Sequence, residues 1–414
     1  MISFRPHQQE CLEETAIYPK GIICATTGAG KTLVGIGDTM REFEKETPQT
    51  VVVVAPRILL ANQLSSEYLE HIDNVAVLHV HSGETTHFST TKPADIQHWD
   101  QIVKVAFNPD APKHKLIFTT YHSLHKIKEA GIKVNTIHFD EAHNSVQKNF
   151  YVATEHFSQH ADRCYFYTAT PKYSSTPNKP GMNNVQVYGN IIANIAAPRM
   201  VNEGYIIPPK IVAKQVSLDS TNAFERDRNH LLESIDDSGV SKILICSKAT
   251  KQIIALMSQT DFCQEVTERG YSWMVITSKT GAIIDGKKVN REEFFDTLHK
   301  WSVDDSKKFI LLHYSILSEG INVSGLEAVI FMRSMDVIGI TQTIGRVVRL
   351  HHNDAKRLRT GEIEPGNLSQ YQKSYGLVIV PTFNSVGINT TKKIQSVVDT
   401  IFAKGEPAIS VTKR

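Results

Sequence analysis

The sequence is poor in several things, and each shortage narrows what the chain can be. Five cysteines, Cys11, Cys24, Cys164, Cys246 and Cys263, are spread over 414 residues with no metal-ligand spacing among them. That excludes a disulfide-stapled scaffold and a cysteine-based zinc framework. Three of the thiols lie in or beside apolar runs and are expected to be reduced and packed. Long apolar runs are missing too: the longest, residues 51–61, is interrupted by Pro56 and Arg57 and is too short to cross a bilayer. The first residues, Met1-Ile-Ser-Phe-Arg-Pro, carry no basic-then-apolar export signal. The expected location is the cytoplasm, with no membrane partner. An excess of charge of one sign is also absent, with 45 Lys and Arg against 43 Asp and Glu. Composition therefore does not mark a polyanion binder, and any grip on such a partner must come from local clusters, backbone amides and a few placed side chains. The 18 histidines are scattered, and neither His79 with His81 nor His351 with His352 has a cysteine or carboxylate set beside it to complete a metal site.

What is present is an alternation of short apolar runs and helical patterns, at a length that suits two domains of roughly 100–200 residues each. Residues 22–25, 51–55, 75–80, 116–119, 136–139 and 164–167 read as strands of the first half. Residues 243–246, 272–276, 309–313, 328–332 and 377–380 read as strands of the second. Most are apolar almost throughout, as strands covered on both faces are. The fold class is therefore α/β, with two mostly parallel sheets covered by helices on both faces. Gly204 and Pro208-Pro209 mark the join, giving domains of residues 1–205 and 206–414. Residues 83–115 break the period and carry only a short helical stretch near 96–105. The polar tail has a helical pattern over 391–403, packed on the second domain, solvated, or touching a polyanion through Lys392 and Lys393.

The stretch that organises the chain is Ala25-Thr-Thr-Gly-Ala-Gly-Lys-Thr32, between an apolar run and a helical pattern. Strand, glycine-rich loop and helix starting at Lys-Thr is the context of a phosphate-binding loop. Gly28 and Gly30 let the backbone of Thr27, Gly28, Ala29 and Gly30 curl so that successive N–H groups face phosphate oxygens. Lys31 reaches the β and γ phosphates of ATP, and the Thr32 hydroxyl holds Mg²⁺. The strict pattern has Gly where Ala25 stands. Asp140-Glu-Ala-His143 closes another apolar strand. Two adjacent carboxylates at a buried strand end call for a cation, which assigns Asp140 to Mg²⁺ and Glu141 to the attacking water. Thr168-Ala-Thr170-Pro follows the next strand, with hydroxyls suited to relaying hydrogen bonds. Two other strand ends carry polar groups that fit a sugar-phosphate backbone, Arg57, then Thr120 and Ser123; Ser247 with Lys248, and Thr277, also stand at strand ends. Each is equally consistent with a solvated side chain or a helix cap.

The order of these motifs resembles a superfamily 2 helicase motor, and within that group the phage UvsW-type branch-migration helicases and the motor of type III restriction enzymes. The resemblance covers nearly the whole chain and implies two tandem RecA-like P-loop domains. It implies that Arg5 and Gln8 belong to an adenine-reading segment, that the initial Ala25 is ordinary, and that His143, Thr168, Thr170 and Gln342 couple the nucleotide to the polymer. It also implies that Ser247, Lys248 and Thr277 are motif IV-like and face nucleic acid. Ser318-Glu-Gly320-Ile-Asn322 resembles motif V, with Asn322 where Asp is commoner. Gln342-Thr-Ile-Gly-Arg346-Val-Val-Arg349 resembles motif VI. Arg346 and Arg349 stand three apart on one helical face, and the resemblance makes them arginine fingers for the γ-phosphate. Where the family often has another Arg, this chain has Thr343. The chain is then expected to be a nucleic-acid-stimulated ATPase using ATP and Mg²⁺. It would act on DNA in preference to RNA by the UvsW likeness alone, in unwinding or branch migration, and in the host cytoplasm if phage-encoded. It looks stripped down beside the UvsW-type proteins, so substrate specificity is expected to come from a protein partner or from the stretch 83–115. Three alternatives stay open: an RNA helicase, a motor subunit without unwinding activity that serves a nuclease partner, and an ATP-switched sensor.

Overall fold

The β-branched runs become the strands of two sheets. In the computed structural model, which describes residues 2–104, 112–176, 179–215, 222–277, 279–314, 325–382 and 385–412, the chain divides into two compact units. One comprises residues 1–195 with 409–414, the other 196–408.

The first unit contains β1 (Lys20–Ala25), β2 (Thr50–Ala55), β3 (Val75–Val80), β4 (His114–Thr120), β5 (Thr136–Phe139), β6 (Arg163–Thr168), β7 (Lys172–Ser174) and β8 (Ile191–Ile195). Its helices are α1 (Pro6–Ile17), α2 (Lys31–Phe43), α3 (Ile58–Leu69), α4 (Pro93–Lys104), α5 (Leu124–Ala130), α6 (Lys148–His160) and α7 (Val185–Tyr188). Seven strands form one sheet in the order β3-β4-β2-β5-β6-β1-β8, and every neighbouring pair is parallel. Strand alternation splits β2 between two cores. Val52 and Val54 join Leu78, Ile117 and Phe139 on one face. Val51, Val53 and Ala55 join Leu60, Leu64 and Phe118 on the other. A sheet buried on both faces explains why its strands read as unbroken apolar runs.

The long connection before β4 holds α4, whose Ile96 is fully buried. Its Asp100 lies 2.5 Å from the buried ammonium of Lys115 and 2.6 Å from that of Lys104. A buried acid with two cations fixes this connection to the sheet.

The second unit contains β9 (Pro209–Gln215), β10 (Lys242–Cys246), β11 (Ser272–Thr277), β12 (Gly281–Ile284), β13 (Lys287–Val289), β14 (Phe309–His313), β15 (Ala328–Phe331) and β16 (Gly376–Thr382). Its helices are α8 (Ala197–Asn202), α9 (Ala223–Ser238), α10 (Thr250–Ser258), α11 (Phe262–Glu268), α12 (Arg291–Val303), α13 (Val337–Val347), α14 (His352–Arg359) and α15 (Ser385–Val398). The strand order is β13-β12-β11-β14-β10-β15-β16-β9. This sheet is mixed but mostly parallel, as expected. From β11 to β9 the pairs are parallel, but β11, β12 and β13 pair antiparallel. β12 and β13 are joined by the dipeptide Asp285-Gly286, both at positive φ, 43° and 82°, which is the chemistry of a tight hairpin turn.

The tail is less exposed than its composition implies. The α15 helix runs on as a π-helical turn (Asp399–Ala403), Ile394, Val397 and Ile401 are buried, and the Lys393 ammonium donates to the Met335 carbonyl. Lys392 stays exposed. β17 (Ser410–Thr412) then pairs with β7 of the first unit.

Gly376 opens β16 where the end of α13 crosses it, and a Cβ there would lie 2.4 Å from the Val347 carbonyl oxygen. Because the obstacle is backbone, Gly376→Ala is expected to destabilise the second unit by on the order of 2 kcal/mol, read as a lower denaturation midpoint in urea. An unchanged midpoint would mean that the α13 end moves freely.

Candidate functional site

The loop after β1 has the geometry that the phosphate-binding pattern requires. Gly28 and Gly30 take φ of 90° and 75°, and the Ala29 N–H donates to the Thr26 carbonyl at 3.2 Å. Gly30 is required twice over: its left-handed backbone favours glycine, and a Cβ would sit 2.3 Å from Gln8 Nε2. Ala25 is an ordinary strand residue paired with Ile195, so nothing in its conformation asks for glycine. α2 starts at Lys31 with Gly30 as an N-cap that offers no side-chain bond. The first N–H groups of α2 are thus without a capping side chain, as at an anion site. The Lys31 ammonium donates to the Ala25 carbonyl at 3.3 Å.

α1 braces this loop. Gln8 is fully buried; its Oε1 accepts the Arg5 N–H at 2.9 Å, and its Nε2 donates to the Ala29 and Gly30 carbonyls at 3.3 Å each. His7 Nε2 meets the same Ala29 carbonyl at 2.9 Å. The amide read from the sequence as an adenine contact is here committed to the loop backbone.

Asp140 and Glu141 follow β5. Glu141 adopts φ 45° and ψ 53°, a left-handed conformation that costs a non-glycine residue roughly 1–2 kcal/mol. Two side chains that the sequence did not single out hold it. Asn144 donates both its backbone N–H and its Nδ2 to the Glu141 carbonyl at 3.0 Å, and the Tyr121 hydroxyl donates to the Asp140 carbonyl at 2.8 Å. Burial and the adjacent Glu141 carboxylate push Asp140 up to about 7, against the pull of Lys31. A carboxylate held that far above its usual range is short of positive charge. With the Thr32 hydroxyl it makes a set of hard oxygen donors that fits Mg²⁺.

From Glu141 a short polar chain leads to β6. His143 Nδ1 lies 3.5 Å from Glu141 Oε2 and 3.1 Å from Thr168 Oγ1. It is 3.5 Å from Thr170 Oγ1, and the Thr170 N–H donates to Thr168 Oγ1 at 3.1 Å. Three of the four residues expected to couple nucleotide and polymer, His143, Thr168 and Thr170, are therefore neighbours of one another and of Glu141. Beneath them lies a network that the sequence reading missed. Arg163 pairs with Asp38 at 2.7 Å and with Glu42, tying α2 to β6. Burial alone would raise Asp38, but a hydrogen bond to His138 and the charges of His138, Arg163 and Arg41 hold it below its usual range. The spacing of these residues in the sequence offers no signal for that contact.

In the second unit Gln342 and Arg346 lie on α13, with Arg346 buried, whereas Arg349 lies past the end of that helix in an isolated bridge with Ile206, so the two arginines do not share the helical face expected of them. Burial, then the charges of Arg346 and Arg333, push His313 at the end of β14 down to about 3. The remaining candidates divide. Arg57 is exposed at the N-cap of α3, and Ser123 is half-buried at the N-cap of α5 without a side-chain capping bond. Thr120 is buried. Ser247 is buried with an unpartnered Oγ, Lys248 pairs with Asp227 at 2.6 Å, and Thr277 Oγ1 meets Thr280 Oγ1 at 2.7 Å. Gly320 and Asn322 lie outside the described residues.

The histidine pairs resolve differently from their sequence surroundings. His79 is buried between His81, at 3.0 Å, and Ser65, at 3.1 Å, and burial drives it down to about 4. A distant carboxylate, Asp305, does reach the other pair, at 3.0 Å from His351 and 3.6 Å from His352. His351 Nδ1, however, accepts the Asn353 N–H at 3.2 Å as the cap of α14, which leaves the proton on Nε2, facing Asp305.

Residues 1–173 match the family model described as the res subunit of type III restriction enzymes, and residues 226–351 match that of the helicase conserved C-terminal domain. Together the two matches support a superfamily 2 helicase with a type III Res-like motor. A search of the curated proteins found no match to it. Among solved structures, it is similar to the ATP-dependent Type ISP restriction-modification enzyme LlaBIII bound to DNA, with a TM-score of 0.73 and 16% identity over 99% of this chain and 31% of that one. It is also similar to a nuclease-deletion mutant of the Type ISP enzyme LlaGI in complex with a DNA substrate mimic, with a TM-score of 0.68 and 18% identity over 98% of this chain and 30% of that one. At such identities the likeness establishes the fold, two tandem RecA-like α/β domains. The chain spans about a third of the length of either structure.

In the second unit the end of α13 is held by a buried lysine. Lys373 is buried, and its ammonium donates to the carbonyls of Leu326, Val347 and Arg349 at 2.6, 2.8 and 3.0 Å. The carbonyl between them, of Val348, accepts the Ile207 N–H at 2.8 Å. Asp354 accepts the N–H groups of Gln372 and Lys373 and so aims the side chain. Every carbonyl from Val347 to Arg349 thus has a donor, and the segment bearing both arginines is anchored at its C-terminal end. Lys373→Met is expected to cost on the order of 3 kcal/mol, measured by urea denaturation. Burial pushes the Lys373 amine from its ordinary 10.5 down to about 7, with Glu327 and Asp354 opposing. Between those values the unfolded chain binds the extra proton, so the group's contribution is full above 10.5 and lost as the pH falls towards 7. The stability gap between parent and variant should therefore widen from pH 7 to pH 9.5. A constant gap would show that the amine is not shifted.

Proposed function

We propose that the protein is an ATP-driven motor that moves on DNA. The observation that carries this reading is the linked set at the ends of β5 and β6, in which a strained Glu141 is joined through His143 to Thr168 and Thr170. A bare phosphate-binding fold needs no such chain, whereas a motor must pass the state of its nucleotide to a strand end that a polymer can feel. In this reading the N–H groups of residues 27–30 and Lys31 hold the β and γ phosphates. Thr32 and Asp140 hold Mg²⁺, which when bound neutralises phosphate charge. Glu141 orients the attacking water and accepts its proton. Arg346 and Arg349 stabilise charge on the transferring phosphoryl group, a role worth roughly 10³–10⁵ in rate in other phosphoryl-transfer enzymes. Arg57 and Ser123 contact the sugar-phosphate backbone, so sequence preference is weak.

Within this reading, translocation without strand separation is the second form, favoured by the likeness in fold to DNA-bound restriction-modification enzymes. Unwinding or branch migration appears as strand displacement from forked or four-way DNA. Translocation alone appears as displacement of a third strand from a triplex with the duplex left intact. DNA over RNA is tested by comparing ATPase stimulation with deoxy and ribo polymers.

Glu141→Gln keeps the shape and hydrogen bonds of the side chain but removes the base. It is expected to lower ATP turnover by at least about 10² while ATP binding, followed with a fluorescent nucleotide, persists. Parental turnover in this variant would remove Glu141 from the chemistry and end the proposed mechanism.

A further inference from the structure

A groove in the first unit lies between α6 and residues 174–176 and 179–184. Its cavity volume is about 610 Å³, and Lys148, Tyr151, Ser175, Thr176, Lys179 and Asn184 are among the residues that line it. That volume is typical of ligand clefts, which run roughly 300–1,000 Å³. None of its lining residues is acidic. Lys148 and Lys179 are both exposed, and neither has an ion-pair partner among the described residues. Another groove, along α9, shows the contrast: its Arg228 and Arg269 are answered by Asp261, Asp236 and Glu265 at 2.5 to 3.4 Å. There the positive charge is closed internally, whereas here it faces solvent.

The wall of the groove is built rigidly. Asn183 spans the backbone of Ser174, accepting its N–H and donating to its carbonyl at 2.9 Å each. Gly181 permits the close approach, since a Cβ would lie 2.5 Å from the Ser174 nitrogen. Asn184 caps α7 through its Oδ1 and donates to the Tyr151 hydroxyl at 3.2 Å, and that hydroxyl donates to Glu155 at the edge. Thr176 Oγ1 is buried without a partner among the described residues. A preformed polar cleft with free ammonium groups on two sides suits an anion that is extended and hydroxyl-rich.

The position of the groove indicates which anion. Phe150, between Lys148 and Tyr151 on α6, meets His122 edge-on at 4.7 Å and stacks on Tyr121 at 5.6 Å. The first turn of α6 is therefore packed on the segment after β4 that carries Ser123. We propose that this groove binds the sugar-phosphate backbone of the nucleic acid, continuing the track that begins at Ser123. The inference rests on the motor reading above. Lys148 and Lys179 each neutralise a phosphate, and the hydroxyl and amide groups between them position the strand without reading bases.

The test is the salt dependence of DNA binding, measured by fluorescence anisotropy on the full chain at several salt concentrations. Two lost phosphate contacts should reduce the slope of log affinity against log salt by about 2 in K148A/K179A. Affinity near 0.1 M salt should fall roughly tenfold, equally for unrelated sequences. K148R/K179R should restore both slope and affinity, and since both lysines are exposed, thermal melting should be the same in all three proteins. A parental slope in K148A/K179A, with the parent binding DNA, overturns the groove assignment alone. A parent without DNA affinity overturns the motor reading with it. An unchanged DNA slope together with lost binding of a poly-glutamate peptide assigns the groove to an acidic protein partner and also overturns the proposal.

Discussion

The side-by-side parallel pairing of β5, β6 and β1 is the constraint on which the first unit depends. Parallel neighbours end at the same edge of a sheet, about 4.8 Å apart. Whatever follows these three strands is therefore crowded together, although residues 25, 140 and 168 are far apart in the chain. The loop of Gly28 and Gly30, the carboxylates of Asp140 and Glu141, and the hydroxyls of Thr168 and Thr170 meet for that reason. The glycines would curl equally well elsewhere. Only this strand order puts a phosphate cradle beside two carboxylates short of a cation.

Charge is handled in opposite ways above and below that edge. Beneath it, Asp38 and Glu42 are both paired with Arg163, which ties α2 to the sheet. At the edge itself, Asp140 has too little positive charge around it and Glu141 sits in a strained backbone. Strain and unmet charge persist only where the surroundings over-determine them, and Asn144 and Tyr121 do so here through the carbonyls of Glu141 and Asp140.

The second unit orders its arginine-bearing helix by a different device. Nothing in the pattern of α13 itself stops the frayed carbonyls at its end from turning to water. They are met instead by Lys373 and by the N–H of Ile207, from segments on either side of it in the chain. A lysine near the start of a strand reads from the sequence as a solvated side chain, because most lysines are. Its burial becomes visible only when Leu326, Val347 and Arg349 are seen to converge.

The local chemistry of the chain determined most of the scaffold. Apolar runs marked the buried parallel strands, and Gly-Lys-Thr after a strand marked the cradle. The motif order matched a helicase motor, because each of these signals lies within a few neighbouring residues. The antiparallel hairpin at Asp285-Gly286 was equally local and was overlooked. What only the tertiary structure decided were the pairings between distant residues. Asp305 reaches His351, Arg163 reaches Asp38, Lys248 is tied to Asp227, and Gln8 is turned onto the loop rather than outward. Such contacts depend on where whole elements pack, and packing sums many weak apolar contacts that no short window of sequence contains.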